Sequence, residues 1–172
     1  MLSPAIFKAY DIRGTWKTDW DEEGVYLLGQ AIVSFFQPTT VTIGRYMRFS
    51  SLAIMDALIR AFLEAGINVS DVGMCATELT YFASFTLPTD LSIMITASHN
   101  PGTDNGLKIT LPGGIAVGFD SGLQEIRDIV GKTAPPQRQR GERRHVNLWG
   151  RYREHVLQHV LHLHIRQQIL GD

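Results

Sequence analysis

Ser98 stands in Thr96-Ala97-Ser98-His99-Asn100-Pro101-Gly102, where hydroxyl, imidazole and amide groups crowd together directly after Leu91-Ser92-Ile93-Met94-Ile95. That apolar run has the length of a buried strand, so Ser98 is predicted to sit exposed beyond a strand end. Asn100-Pro101-Gly102 and Asp104-Asn105-Gly106 both favour turns. Two bends would bring Leu107-Lys108-Ile109 back with Lys108 in reach of Ser98. A serine beside a histidine first raises hydrolysis. The surroundings, however, are not G-x-S-x-G, and His99, as the next residue, would normally point away from Ser98. A distant histidine would have to act as base, and the remaining five lie in the tail. There is no G-x-x-x-x-G-K-[ST] phosphate loop either. On composition alone the leading reading is a polar turn whose serine caps a backbone group.

Holding a serine at a strand end requires a scaffold, and the chain alternates helices with strands. Ile6 to Gly14 alternates apolar and polar residues and predicts a strand followed by a tight loop. Asp19 to Glu23 places acidic residues ahead of Val25, Leu28, Ile32 and Phe36, which mark one helical face, and Pro38 ends that helix. Val41-Thr42-Ile43-Gly44 predicts a strand entering the Arg45 to Phe49 loop. Ser50 or Ser51 is expected to cap the helix of Ile54, Leu58, Phe62 and Leu63, which Gly66 closes. Ile67 to Gly73 reads as a strand, Thr77 as the cap of a helix through Phe85, and Pro88 as the break before Leu91. After Ile109, the Pro112-Gly113-Gly114 turn leads to Ile115-Ala116-Val117, and residues 119–131 suit a helix. The expectation is an α/β fold: a three-layer α/β/α domain with a mostly parallel mixed sheet, followed by a basic helical tail. Ligands of such sheets sit beyond the carboxyl ends of strands, where this reading puts Arg13, the Arg45 to Arg48 loop and Ser98.

The 172 residues suit one domain, or one domain and a tail, and 44% hydrophobic against 19% charged residues is ample for a core. The net charge of −1 hides an asymmetry: residues 1–131 hold 8 Lys and Arg against 14 Asp and Glu, and residues 132–172 hold 8 against 3. The change coincides with Ala134-Pro135-Pro136-Gln137-Arg138-Gln139-Arg140-Gly141, so a domain of 1–131 and a linker with basic helical tail over 132–172 are expected. Arg138, Arg140, Arg143 and Arg144 lack interleaved aromatics, which makes a solvated linker the expected reading and nucleic acid no expected partner. His155, His159 and His162 share a helical face at spacings that could hold zinc, but no H-E-x-x-H carboxylate joins them, and solvated imidazoles are the expectation. A single cysteine, Cys75, excludes an internal disulfide; with no signal pattern and no long apolar run, a cytoplasmic location and no membrane partner are expected.

The order of residues adds what composition lacks. Thr96-Ala97-Ser98-His99-Asn100-Pro101, then Asn105-Gly106-Leu107-Lys108-Ile109, and earlier Phe7-Lys8-Ala9-Tyr10-Asp11-Ile12-Arg13-Gly14 resemble three motifs of the α-D-phosphohexomutase superfamily, the phosphomannomutase and phosphoglucomutase enzymes. The likeness covers residues 5 to about 131, the extent of that family's first domain. It implies that Ser98 carries a phosphoryl group, exchanged with hexose phosphate and hexose bisphosphate partners. Arg13 and Lys108 would neutralise charge, Lys108 would also assist proton transfer, and His99 would hydrogen-bond near the phosphate.

The resemblance also implies Mg2+, bound through the phosphate on Ser98. Its other ligands, a D-G-D-G-D-R loop, do not occur in these residues, nor do the family's sugar-recognition and phosphate-binding loops. A further departure is Tyr46, which takes the acidic position of the family's G-R-D-x-R-x-S loop. The expectation is therefore a phosphoserine domain with little or no turnover alone, open to self-association or to a complementing chain. Two alternatives stand beside it: a non-catalytic phosphosugar-binding or interaction module, and an unrelated α/β hydrolase that lacks its elbow.

Overall fold

The computed structural model describes residues 1–132 and 139–170, with side chains through residue 159. Most of the expected linker, from Ala134 to Arg138, and the side chains of Val160, His162 and Leu163 lie outside the described residues. Among the described residues no helix is long and apolar enough to cross a membrane.

The elements in order are β1 (Ile12–Thr15), α1 (Glu22–Phe36), β2 (Thr40–Arg45), α2 (Ser51–Glu64), β3 (Asn68–Met74), α3 (Thr77–Thr86), β4 (Leu91–Ile95), β5 (Asp104–Leu111), β6 (Ile115–Ala116), α4 (Leu123–Ile129), β7 (Arg143–His145) and α5 (Trp149–Leu170). The sheet order is β1-β5-β4-β2-β3-β7, with β6 on β5. β2 pairs parallel with both β3 and β4, β7 pairs parallel with β3, and β5 runs against β1, β4 and β6. One strand, β5, therefore opposes all the others, giving the mostly parallel mixed sheet expected.

Strand alternation builds the layers. Val41, Ile43, Leu91, Ile93 and Ile95 join Val25, Leu28, Ile54 and Leu58 in the larger core under α1, α2 and α4. On the opposite face Met94 and Val72 meet Leu79, Ala83 and Leu148, with Tyr152 of α5 packed against them. Asp21 caps α1 by accepting from Gly24 N, and Glu22 and Glu23 follow in the first turn, which accounts for the helix start that the acidic run predicted.

Several local expectations are corrected. Ile6 to Gly14 is not one strand: Ser3 and Pro4 set a short 3-10 turn over Pro4–Ile6, and β1 begins only at Ile12, so Arg13 lies inside a strand rather than beyond its end. Asp104-Asn105-Gly106 does not turn, because β1 pairs with it and Gly106 O accepts from Thr96 N at 2.9 Å; tertiary pairing overrides turn propensity. Neither Thr77 nor Ser50 makes a side-chain cap bond; Ala76 precedes α3, and the Ser50 hydroxyl is taken by Asn105. Arg143 and Arg144 do not belong to a solvated linker. β7 extends the sheet past the expected boundary at 131, with Arg143 Nη2 2.6 Å from buried Asp71 and Arg144 donating to Ser70.

Candidate active site

Antiparallel register assembles the charged centre. Ile12 pairs with Leu107 across β1 and β5, which sets Asp11 opposite Lys108, and strand alternation sets Arg13 on the same side as Asp11. Asp11 is buried and accepts from both neighbours, from Lys108 Nζ at 3.1 Å and from the Arg13 guanidinium. The two cations are about three-quarters buried, with side-chain exposures of 25% each. Arg13 Nη1 donates onward to Asn100 Oδ1 at 2.7 Å. Lys8, Tyr10, Asp11, Arg13, Asn100 and Lys108 line an open cleft of about 490 Å³.

The loop after β4 is fixed separately. Ser98 has φ +52°, a left-handed conformation that costs an L-residue roughly 1–2 kcal/mol. Its N–H donates to Thr96 Oγ1 at 3.1 Å, and the guanidinium of Arg48, from the loop after β2, donates to the carbonyls of Ser98, Asn100, Pro101 and Asp104 at 2.7–2.8 Å. Asn105, fully buried, donates to Ser50 and Ser51 Oγ and so ties β5 to the start of α2 just beyond Arg48. Of the four residues predicted from sequence, Arg13 and Lys108 meet on Asp11, while Ser98 and His99 are exposed on the neighbouring loop and do not line the cleft. Asp11 was given no role from sequence, and Arg48 only a place in a loop at the ligand-binding ends of the strands. The two-residue spacing of Asp11 and Arg13 hinted at a shared strand face, whereas nothing in the sequence marked Arg48 for four backbone carbonyls.

Asp104 closes the loop. Its carboxylate accepts from Asn100 Nδ2 at 2.9 Å and from Thr15 Oγ1 at 2.9 Å. The Asn100 bond foremost, with help from Thr15 and the positive charges of Arg48 and Arg13, holds its pKa below the usual carboxylate value against the opposing effect of burial. A depressed native pKa stabilises above the ordinary value of about 3.9 and loses that contribution as pH falls through the lower native value. Asp104→Asn is expected to melt below wild type at pH 6, by about 1 kcal/mol, with the gap closing as pH falls through the lowered native value. Thermal melts of both proteins across that range check it; a gap that persists unchanged at low pH refutes the assignment.

No cluster of three or more His, Cys, Asp or Glu side chains that could hold a metal occurs among the described residues. The donors present therefore do not by themselves fit a magnesium ion.

Comparison with known proteins places this architecture. The model of the phosphoglucomutase/phosphomannomutase α/β/α domain I matches residues 4–136. A phosphomannomutase of Salmonella typhimurium is 36% identical over 163 residues, covering 93% of this chain and 36% of the relative. A phosphoglucomutase of Neisseria meningitidis is 36% identical over 159 residues, covering 90% of this chain and 34% of the relative. The crystal structure of a phosphoglucomutase/phosphomannomutase family protein from Burkholderia thailandensis superposes with a TM-score of 0.77 at 30% identity, over 88% of this chain and 35% of that one. The chain thus spans about a third of the length of these relatives. On its sequence, its sheet topology and these matches, the chain belongs to the phosphoglucomutase/phosphomannomutase family, of which it carries the α/β/α domain I.

Proposed function

We propose that the chain is the phosphoserine-bearing domain of a hexose phosphate mutase, with Ser98 as phosphoryl acceptor. The observation that carries this is the junction of the two sub-sites: Arg13 reaches from the Asp11–Lys108 pair to Asn100, two residues from Ser98. Phosphoryl transfer needs positioned positive charge more than covalent chemistry, and Arg13, bonded to Asn100 of the Ser98 loop, supplies it together with Lys108 on the same Asp11. From a hexose 1,6-bisphosphate, Ser98 Oγ forms the new bond to phosphorus, the bond from phosphorus to the sugar oxygen breaks, and the hydroxyl proton ends on that oxygen. In the exchange, phosphorylated Ser98 gives its group to the free hydroxyl of a hexose monophosphate, and the bisphosphate so formed reorients and returns its other phosphate to Ser98. His99, exposed on the same loop, is free to approach the phosphoryl oxygens.

Magnesium belongs to this reading only with oxygen donors from outside these residues, and no step here depends on it. Sustained conversion of a hexose 1-phosphate is therefore not expected from this chain alone, since positioning of the sugar and water exclusion would both be incomplete. A cytoplasmic setting is part of the same proposal.

Intact-mass measurement after incubation with glucose 1,6-bisphosphate is the test. Wild type is expected to gain one phosphoryl group and Ser98→Ala none, with no sustained turnover of glucose 1-phosphate or mannose 1-phosphate by either. Failure of wild type to gain mass removes the basis for an acceptor role and leaves a binding module. Brisk turnover by the purified chain overturns its dependence on further domains.

A further inference from the structure

We propose that Arg48 is a positioning residue for phosphoryl transfer: its guanidinium is the template on which the Ser98 loop takes its reactive shape. This rests on the reading of Ser98 as acceptor. Arg48 belongs to a different element from Ser98, fifty residues away in sequence, and stands apart from the Asp11 centre. Nη1 donates to Pro101 O and Asp104 O, each at 2.7 Å, and Nη2 to Ser98 O and Asn100 O, each at 2.8 Å. Four carbonyls converging within one loop would repel one another without a cation between them. A planar fork with fixed donor directions satisfies all four at once, which the compact ammonium of lysine, with three donors on one atom, cannot reproduce.

The clamp bears directly on the reacting residue. Ser98 is held at φ +52°, a strained conformation that persists only when its surroundings over-determine it. Three fixings do so: Ser98 O on Arg48, Ser98 N on Thr96 Oγ1, and Asn100 N on Ala97 O at 3.1 Å. A trans peptide sets its N–H opposite its C=O, so turning Ser98 O onto Arg48 aims the His99 N–H away from it. That N–H has no acceptor among the described residues and remains available to an anion on Ser98. Arg48 is itself anchored, since Tyr46 N bonds Ile95 O at 2.9 Å and Asn105 holds Ser50 and Ser51. The paired ends of β2 and β4 thus carry a side chain that binds the Ser98 loop to them.

A positioning role predicts a loss in rate without a loss in donor binding, because Arg13 and Lys108 are held by Asp11, which Arg48 does not contact. Single-turnover phosphorylation of the full chain by glucose 1,6-bisphosphate, followed by intact mass over a range of donor concentrations, separates the two. Arg48→Lys is expected to lower the limiting rate about 100-fold while the half-saturating concentration stays within about twofold. Circular dichroism melts come first, and Arg48→Gln, which keeps a planar group with two N–H donors, replaces the lysine variant if that one does not fold. A folded variant with a limiting rate within twofold of wild type overturns the proposal. So does a tenfold or larger rise in half-saturating concentration, which would place Arg48 on the donor instead. No phosphoryl gain by wild type overturns the Ser98 reading and this proposal together, and that failure is seen before any Arg48 variant is made.

Discussion

Gly106→Ala is expected to lower the melting temperature by roughly 10 °C or more, through a loss of about 3 kcal/mol or greater. A methyl group at Gly106 would stand 2.3 Å from Ile12 O and 2.9 Å from Thr96 O. Both are backbone atoms, one in β1 and the other just after β4, so no side-chain rotation relieves either contact. Relief requires β5 to part from β1 on one side or from the end of β4 on the other. The first movement slides Asp11 off Lys108, because the register Ile12 to Leu107 sets that pair. The second breaks the 2.9 Å bond from Thr96 N to Gly106 O and disturbs Thr96, whose hydroxyl holds Ser98 N. A single methyl therefore reaches both halves of the site. Gly102→Ala is the control: no heavy atom lies within 4 Å of its added carbon, and it is expected to stay within about 0.5 kcal/mol of wild type. Thermal melts and Ser98 phosphorylation measured on both variants decide the matter. A Gly106→Ala protein that melts within 2 °C or so of wild type would falsify the packing argument.

What could be read from the sequence followed local rules. The acidic run before Val25 predicted α1 because a carboxylate cap and a negative first turn act within a few residues, and Asp21 does so in the structure. The apolar run Leu91–Ile95 predicted a strand buried on both faces, and β4 is buried throughout. The failures share one cause: each depended on a partner distant in sequence. Asp104-Asn105-Gly106 has turn composition, and only pairing with β1 makes it a strand. Arg143 and Arg144 look like linker charges until Asp71 and Ser70 of β3 are known to face them. Within the site, Ser98 and Lys108 were singled out as residues, yet the link between them was not legible. It runs through Asp11, Arg13 and Asn100, and depends on a register that a shift of one residue would have turned inside out.

Asp11 is where that register concentrates charge, and its removal gives the second large effect. Asp11→Asn keeps the shape of the side chain but leaves Arg13 and Lys108, each about three-quarters buried, facing one another without a counter-charge. Breaking a buried ion pair on one side typically costs about 3–5 kcal/mol; partial exposure of both cations brings the expectation here to about 2–3 kcal/mol. Two features separate this from a simple lost hydrogen bond. Repulsion between the stranded cations is screened by salt, so the deficit should shrink between 0.05 and 1 M NaCl, as the Debye length falls from above 10 Å to about 3 Å. Removing one cation should also remove most of the penalty. The double variant Asp11→Asn, Lys108→Met is therefore expected to be more stable than Asp11→Asn alone, a coupling that a double-mutant cycle measures directly. If Asp11→Asn costs the same in the Lys108→Met background as in wild type, Asp11 does not hold Lys108, and the charged centre beside Ser98 rests on Arg13 and Asn100 without it.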